Sequence, residues 1–189
     1  MSSAEEFLQN PAWVHRMEEA FVQLDKNKNG YLSLEDYELW VDNLENMVKP
    51  APHLIATVRD RTKKYCAGLG IVRGKQATKG EFLKGIAALA VSERAKWLAG
   101  KETLLTSMLD SWFDVVDTNH DGTVTQDEWK TILTASDFGA SAADDTFKLI
   151  DKNKNGKVER KELNDFHFKF WFTLDDADSK GMLGKRYEK

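Results

Sequence analysis

The sequence predicts an all-α protein of four helix–loop–helix units, paired into two lobes that pack into one compact globule, with short β bridges between paired loops. Three observations predict it. A six-residue pattern recurs: Asp-Lys-Asn-Lys-Asn-Gly at 25–30 and again at 151–156, with Asp-Thr-Asn-His-Asp-Gly at 117–122. Apolar residues at helical spacing flank each copy. The only prolines are Pro11, Pro50 and Pro52, so no proline breaks a helix from Thr57 onward.

The elements follow in order. Asn10 and Pro11 read as cap and first residue of a helix whose apolar face is Trp13, Met17, Phe21 and Leu24. After the first loop, Tyr37, Leu39, Trp40, Val41 and Leu44 continue in the same way, and Pro50-Ala51-Pro52 ends the unit. A third helix is predicted over 53–66, broken by the glycine-rich stretch 68–80. Phe82, Ile86 and Leu89 carry the next face. Leu104, Leu105, Met108, Leu109, Trp112 and Phe113 lead into the loop at 117, and Trp129, Ile132 and Leu133 leave it. Phe147 and Ile150 enter the loop at 151, and Leu163, Phe166, Phe170 and Trp171 leave it. The lobes are expected at 1–99 and 100–189.

Composition narrows the function. The chain is 41% hydrophobic and 31% charged, with net charge -4. A mildly acidic chain lacks the basic stripe that nucleic acid requires. One cysteine, Cys66, cannot build a disulfide framework, and reads as a buried apolar residue more readily than as a reactive thiol. The start, Met1-Ser2-Ser3-Ala4-Glu5-Glu6, shows neither a signal-peptide pattern nor the glycine that N-myristoylation needs. No apolar run is long enough to span a bilayer. The expectation is a cytoplasmic monomer without a membrane anchor. No Ser-His-Asp set, phosphate-binding glycine loop or zinc spacing points to a catalytic residue.

The repeated pattern is the calcium loop of an EF-hand. Ca²⁺ takes six to eight oxygens, which a twelve-residue loop supplies from positions 1, 3, 5, 7, 9 and 12 around a glycine at 6. Loop 1 offers Asp25, Asn27, Asn29, the Tyr31 carbonyl, Ser33 and Asp36. Loop 3 offers Asp117, Asn119, Asp121, the Thr123 carbonyl, Thr125 and Glu128. Loop 4 offers Asp151, Asn153, Asn155, the Lys157 carbonyl, Glu159 and Glu162. Position 8 is Leu32, Val124 and Val158, apolar residues suited to a bridge between paired loops. The competing reading, a solvated Asx-rich turn, does not account for three copies that all end in a carboxylate. Loop 1 closes on Asp36, one methylene shorter than glutamate, and holds two carboxylates against three in each of the others. It is therefore predicted to be the weakest calcium site or to hold Mg²⁺ at rest. EF-hands pair, so a fourth is expected. Residues 70–81 (loop 2) are the candidate, but Lys75 replaces the glycine, no carboxylate precedes Glu81, and Arg73 and Lys79 repel cations. This hand is predicted to keep its packing role without metal.

Three stretches, Asn10-Pro-Ala-Trp13, Asp127-Glu-Trp129-Lys130 and Phe170-Trp-Phe-Thr-Leu-Asp175, resemble the calcium-regulated photoproteins. The ending of loop 1, Glu35-Asp36-Tyr37-Glu38-Leu39, is more similar to the related coelenterazine-binding and sarcoplasmic calcium-binding proteins. The resemblance covers nearly the whole chain and implies a cavity that holds coelenterazine. It places His167, Trp171 and Phe172 on the C-terminal wall of such a cavity, with Phe172 replacing a tyrosine. Met17 falls where the family has histidine. Phe82, Ile86, Met108, Ile132 and Met182 fall where it has tyrosine or tryptophan, and the chain ends Arg186-Tyr-Glu-Lys189 without the family's proline. This mapping implies volume for a hydrophobic small molecule but few hydrogen-bond donors, which a peroxide or phenolate needs. Alternatively, His167 is a core histidine bonded to a carbonyl, and the six tryptophans are ordinary packing.

Two functions remain. One is a calcium buffer or sensor; the methionines are too scattered for a Met-rich target groove, which favours the compact buffer. The other is a coelenterazine-binding protein or calcium-triggered photoprotein, whose coelenterazine oxidation would be the only enzyme-like activity.

Overall fold

The computed structural model describes residues 3–136 and 140–174; Asp175, Met182 and the terminal Arg186–Lys189 stretch lie outside them. The element order is α1 (Ala4–Gln9), α2 (Pro11–Leu24), α3 (Leu34–Val48), α4 (Pro52–Gly68), α5 (Lys79–Leu98), α6 (Leu104–Val116), β1 (Thr123–Thr125), α7 (Gln126–Ala135), α8 (Ala140–Ile150), β2 (Lys157–Glu159) and α9 (Arg160–Phe172). Helices α2 to α9 form four helix–loop–helix units, as the repeat requires.

Helix starts are set by local chemistry. The Asn10 side chain accepts from the Trp13 amide at 2.9 Å, and Pro11 opens α2 with no amide to satisfy. α1 was not foreseen. Its signal is the capping box Ser3–Glu6, in which each side chain accepts the other's backbone N–H. α1 buries Phe7, whose ring meets Trp13 edge-on at 5.1 Å. Loop 2 joins α4 to α5, and Pro52 opens α4 one residue ahead of the expected start. Leu39 corrects the expected face of α3: it is 44% exposed, while Tyr37, Val41 and Leu44 are buried. Leu39 lies about 200° around the helix from Tyr37, so it cannot share the inward face.

Loops pair as expected. Leu32 and Ala77, both at position 8, exchange backbone hydrogen bonds of 2.9 and 2.7 Å. Val124 and Val158 centre the antiparallel β1–β2 pair. The two lobes then meet through α4 on α6, α3 on α7 and α5 on α9. Aromatic stacks hold this contact, Trp40 on Trp112 at 3.9 Å and Trp97 on Phe168 at 4.7 Å. The Trp13 indole donates to the Trp171 carbonyl at 3.1 Å, and Arg16 donates to the Thr173 carbonyl at 2.7 Å, fixing the end of α9 to α2. Cys66 is fully buried, and burial raises its thiol well above the ordinary range, so it is an inert core residue.

Helix α5 passes close to the end of α4. A Cβ at Gly85 would sit 2.4 Å from the Leu69 carbonyl oxygen. Gly85→Ala gains up to about 1 kcal/mol of helix propensity, but overpacking against a backbone atom costs about 1–3 kcal/mol. The second effect wins because the carbonyl cannot swing aside. A lower melting temperature is expected for Gly85→Ala, and an unchanged or raised one contradicts this packing.

Candidate metal loops and the cavity between the lobes

The three metal loops share one hydrogen-bond scheme. The carboxylate at position 1 accepts the amides of positions 5 and 6. Asp25 accepts Asn29 at 3.1 Å and Gly30 at 2.8 Å. Asp117 accepts Asp121 at 3.1 Å and Gly122 at 2.9 Å. Asp151 accepts Asn155 at 3.1 Å and Gly156 at 2.9 Å. The turn demands positive φ at position 6, met by Gly30, Gly122 and Gly156, and at position 4, met by Lys28, His120 and Lys154. His120 is thus a turn residue.

The carboxylate at position 12 ties the loop's two ends. Glu128 accepts from Thr125 at 2.9 Å and reaches back to the Thr118 amide at 2.9 Å. Glu162 accepts from Glu159 at 3.0 Å and reaches back to Lys152 at 3.1 Å. The shorter Asp36 does the same, accepting from Ser33 at 2.9 Å and from Asn27 at 3.2 Å, and is almost completely buried. In loop 2 the Glu81 carboxylate accepts only the backbone and hydroxyl of Thr78, with no bond back to the loop's start. That missing reach separates the degenerate hand from the other three. Among the described residues no three His, Cys, Asp or Glu side chains converge closely enough to hold a metal by themselves. The loops instead mix carboxylates with amides, hydroxyls and carbonyls, which is a calcium donor set.

Electrostatics favour the ionised form of two of these loop carboxylates. The Thr123 hydroxyl and the Lys157 ammonium, 3.1 Å away, hold Asp121 down at about 2. Partial burial pushes Glu128 up, but hydrogen bonds from Thr125 and Thr118 outweigh it and keep it below the usual carboxylate range.

Between the lobes lies a cavity of about 130 Å³. Of the residues expected around it, Met108, Ile132, His167 and Trp171 line it. Met17, Phe82, Ile86 and Phe172 do not; they are fully buried in the surrounding core. Their helices turn these side chains toward other neighbours, Phe82 against Phe21 and Phe172 against Phe168.

The lining is short of free donors, as expected: its surface is almost wholly apolar, and the Trp40 and Trp129 indoles already donate to Ser136 and Thr146. Tyr37, Trp40, Tyr65, Trp112 and Trp129 face the cavity, none of them foreseen there. Four of the six tryptophans therefore line it, and only Trp13 and Trp97 do not. Three buried polar atoms around this space have no partner: the Tyr37 hydroxyl, Trp112 Nε1 and His167 Nδ1. Buried polar groups are normally bonded, so these three stand out in the packing around the cavity. His167 consequently makes no bond from Nδ1 to a carbonyl. Its edge on the cavity leaves it half-buried by area, yet protein encloses it, and that burial lowers its pKa to about 4. Burial also raises the Tyr37 and Tyr65 hydroxyls, so both are neutral donors.

Two pairs of such hands, with this loop chemistry, define an EF-hand protein. An EF-hand domain-pair model matches residues 105–166 and an EF-hand model matches residues 17–39. Obelin from Obelia geniculata is 32% identical over 178 residues, 93% of this chain and 91% of obelin. The crystal structure of n-aequorin superposes with a TM-score of 0.86 at 27% identity, covering 97% of this chain and 95% of that one. Magnesium-loaded apo-berovin, a ctenophore photoprotein whose three calcium-binding loops all bind magnesium, superposes at 0.76 with 25% identity, covering 88% and 98%. The chain belongs to the EF-hand family of calcium-regulated photoproteins.

Two outcomes check the site. Glu128→Gln and Glu162→Gln should each remove one calcium from a calorimetric titration; full stoichiometry in both variants would refute the ligand assignment. His167 is held neutral by folding, whereas the unfolded chain takes up the proton near the ordinary value of 6.5. Stability is thus complete above pH 6.5 and lost as the pH falls from 6.5 to about 4. At about 1.4 kcal/mol per pH unit the total is roughly 3 kcal/mol. Denaturant unfolding of wild type and His167→Gln should show a flatter profile for the variant across that window.

Proposed function

We propose that this chain is a calcium-triggered photoprotein. It binds Ca²⁺ at loops 1, 3 and 4 and holds a coelenterazine-class ligand in the cavity between the lobes. The supporting observation is an aromatic and aliphatic cavity between the lobes of a chain 32% identical to obelin over 93% of its length. An apolar multi-ring molecule with a few polar atoms matches that wall. When bound, coelenterazine would be the molecule oxidised, by dioxygen, with emission of light. This chain's residues would bind and orient it against an aromatic and aliphatic wall that includes Tyr37, Trp112 and His167.

The metal assignment extends residue by residue: Asp25, Asn27, Asn29, Tyr31, Ser33 and Asp36; Asp117, Asn119, Asp121, Thr123, Thr125 and Glu128; Asp151, Asn153, Asn155, Lys157, Glu159 and Glu162. Mg²⁺ is the resting ion of loop 1, where two carboxylates and a short closing ligand suit six-fold coordination. The protein acts as a cytoplasmic monomer, with 1–99 and 100–189 as its two hand pairs. No helix among the described residues is long and apolar enough to cross a membrane.

Apo-protein mixed with coelenterazine in calcium-free buffer should acquire the absorbance of a bound chromophore, and calcium should then release light. Chromophore without light would make the chain a ligand carrier, to which the Asp36 closure of loop 1 is already similar. Neither signal would leave a calcium buffer.

A further inference from the structure

Among the residues that line the cavity, one side chain comes from a calcium loop: Lys26, at position 2 of loop 1. It lies between Asp25 and Asn27, which are calcium ligands in the assignment above, while its own side chain is not a ligand. Its ammonium donates to the Ser136 carbonyl at 2.6 Å, at the C-terminal end of α7. There a cation also meets the negative end of the helix dipole. The Ser136 hydroxyl accepts from the Trp40 indole and donates to the Ile132 carbonyl at 2.9 Å. Asn43 donates to the Ala135 carbonyl at 3.2 Å. Hand 1 thus grips the end of α7 at three points, and Lys26, Trp40 and Ser136 all face the cavity.

We propose that Lys26 couples loop 1 to the cavity: calcium entering loop 1 breaks the Lys26–Ser136 bond and loosens the ligand held there. The proposal rests on the reading that the cavity takes an apolar ligand. Gathering the oxygens of Asp25 and Asn27 around one ion turns the stretch of backbone that carries Lys26. The ion also adds a double positive charge between the two neighbours of Lys26 in sequence, which repels the ammonium. A hydrogen bond of this length tolerates little displacement. Loops 3 and 4 contribute no side chain to the wall and reach it only through α6, α7, α8 and α9. Linkage makes the effect reciprocal, so a bound ligand must weaken calcium at loop 1 by the same factor.

The test is a calorimetric calcium titration of the full chain with and without coelenterazine, in buffer purged of oxygen so that the ligand is not consumed. Asp36→Asn identifies the heat of loop 1. Coelenterazine should weaken calcium at loop 1 by about tenfold in wild type. Lys26→Met should abolish that shift, and Lys26→Arg, which keeps a cation of similar reach, should restore it. Melting curves of the variants establish that each is folded. A shift that persists in Lys26→Met, that falls on loops 3 and 4, or that is missing in a wild type carrying chromophore overturns the coupling alone. Absence of chromophore from calcium-free wild type is a separate signal that overturns the cavity reading and the coupling with it.

Discussion

Everything in this fold depends on a carboxylate accepting two consecutive backbone amides. Asp25, Asp117 and Asp151 each bind the N–H groups of positions 5 and 6 and so close the first half of the loop on itself. That closure draws the oxygens of positions 1, 3 and 5 toward one point. It also fixes the angle between entering and exiting helices, because position 1 is the C-terminal cap of the helix before it. With the helix angle set, position 8 meets its partner loop, the hands pair, and the pairs enclose a space between them. The cost is two left-handed residues per loop, one a glycine and the other a lysine or histidine.

The loop geometry was legible because it is local. Twelve consecutive residues specify the donors, the turn and the bridge, and no distant contact can rearrange them. Helices were legible for the same reason, and the α1 cap at Ser3 and Glu6 was readable though overlooked. The cavity was a different problem. Its wall is assembled from α2, α3, α4 and α6 to α9, so membership depends on how two lobes rotate against each other. Periodicity placed Tyr37 and Trp112 on inward faces, but inward covers both core and cavity. Mapping family positions onto Met17, Phe82, Ile86 and Phe172 assumed that the same backbone positions always face the space. Here those four serve the core, and Tyr37, Tyr65, Trp112 and Trp129 line the space instead.

Asp36 shows why side-chain length alone is a poor guide to a ligand. One methylene fewer suggested a closing residue that falls short. In the structure Asp36 still spans both ends of loop 1, bonded to Asn27 and to Ser33. What the shorter side chain changes is freedom: its carboxylate is buried, with both oxygens engaged by backbone, whereas Glu128 and Glu162 are partly exposed. A rigid, small donor suits an ion that demands regular geometry, and that is the physical case for magnesium in this loop.

The degenerate hand separates what a loop needs for metal from what it needs for the fold. Loop 2 keeps the Thr78–Glu81 capping box, which starts α5, and the Ala77 bridge to Leu32, which holds loop 1 in place. It has lost the head carboxylate and the bond from the closing carboxylate back to the loop's start. The parts retained are those that touch neighbouring elements; the parts lost touch only an ion. Loop 1 is therefore braced on one side by a partner that cannot respond to calcium, and on the other by Lys26 on the end of α7. A displacement produced in loop 1 meets a fixed bridge in its own lobe, so it is passed toward the facing lobe, where the cavity lies.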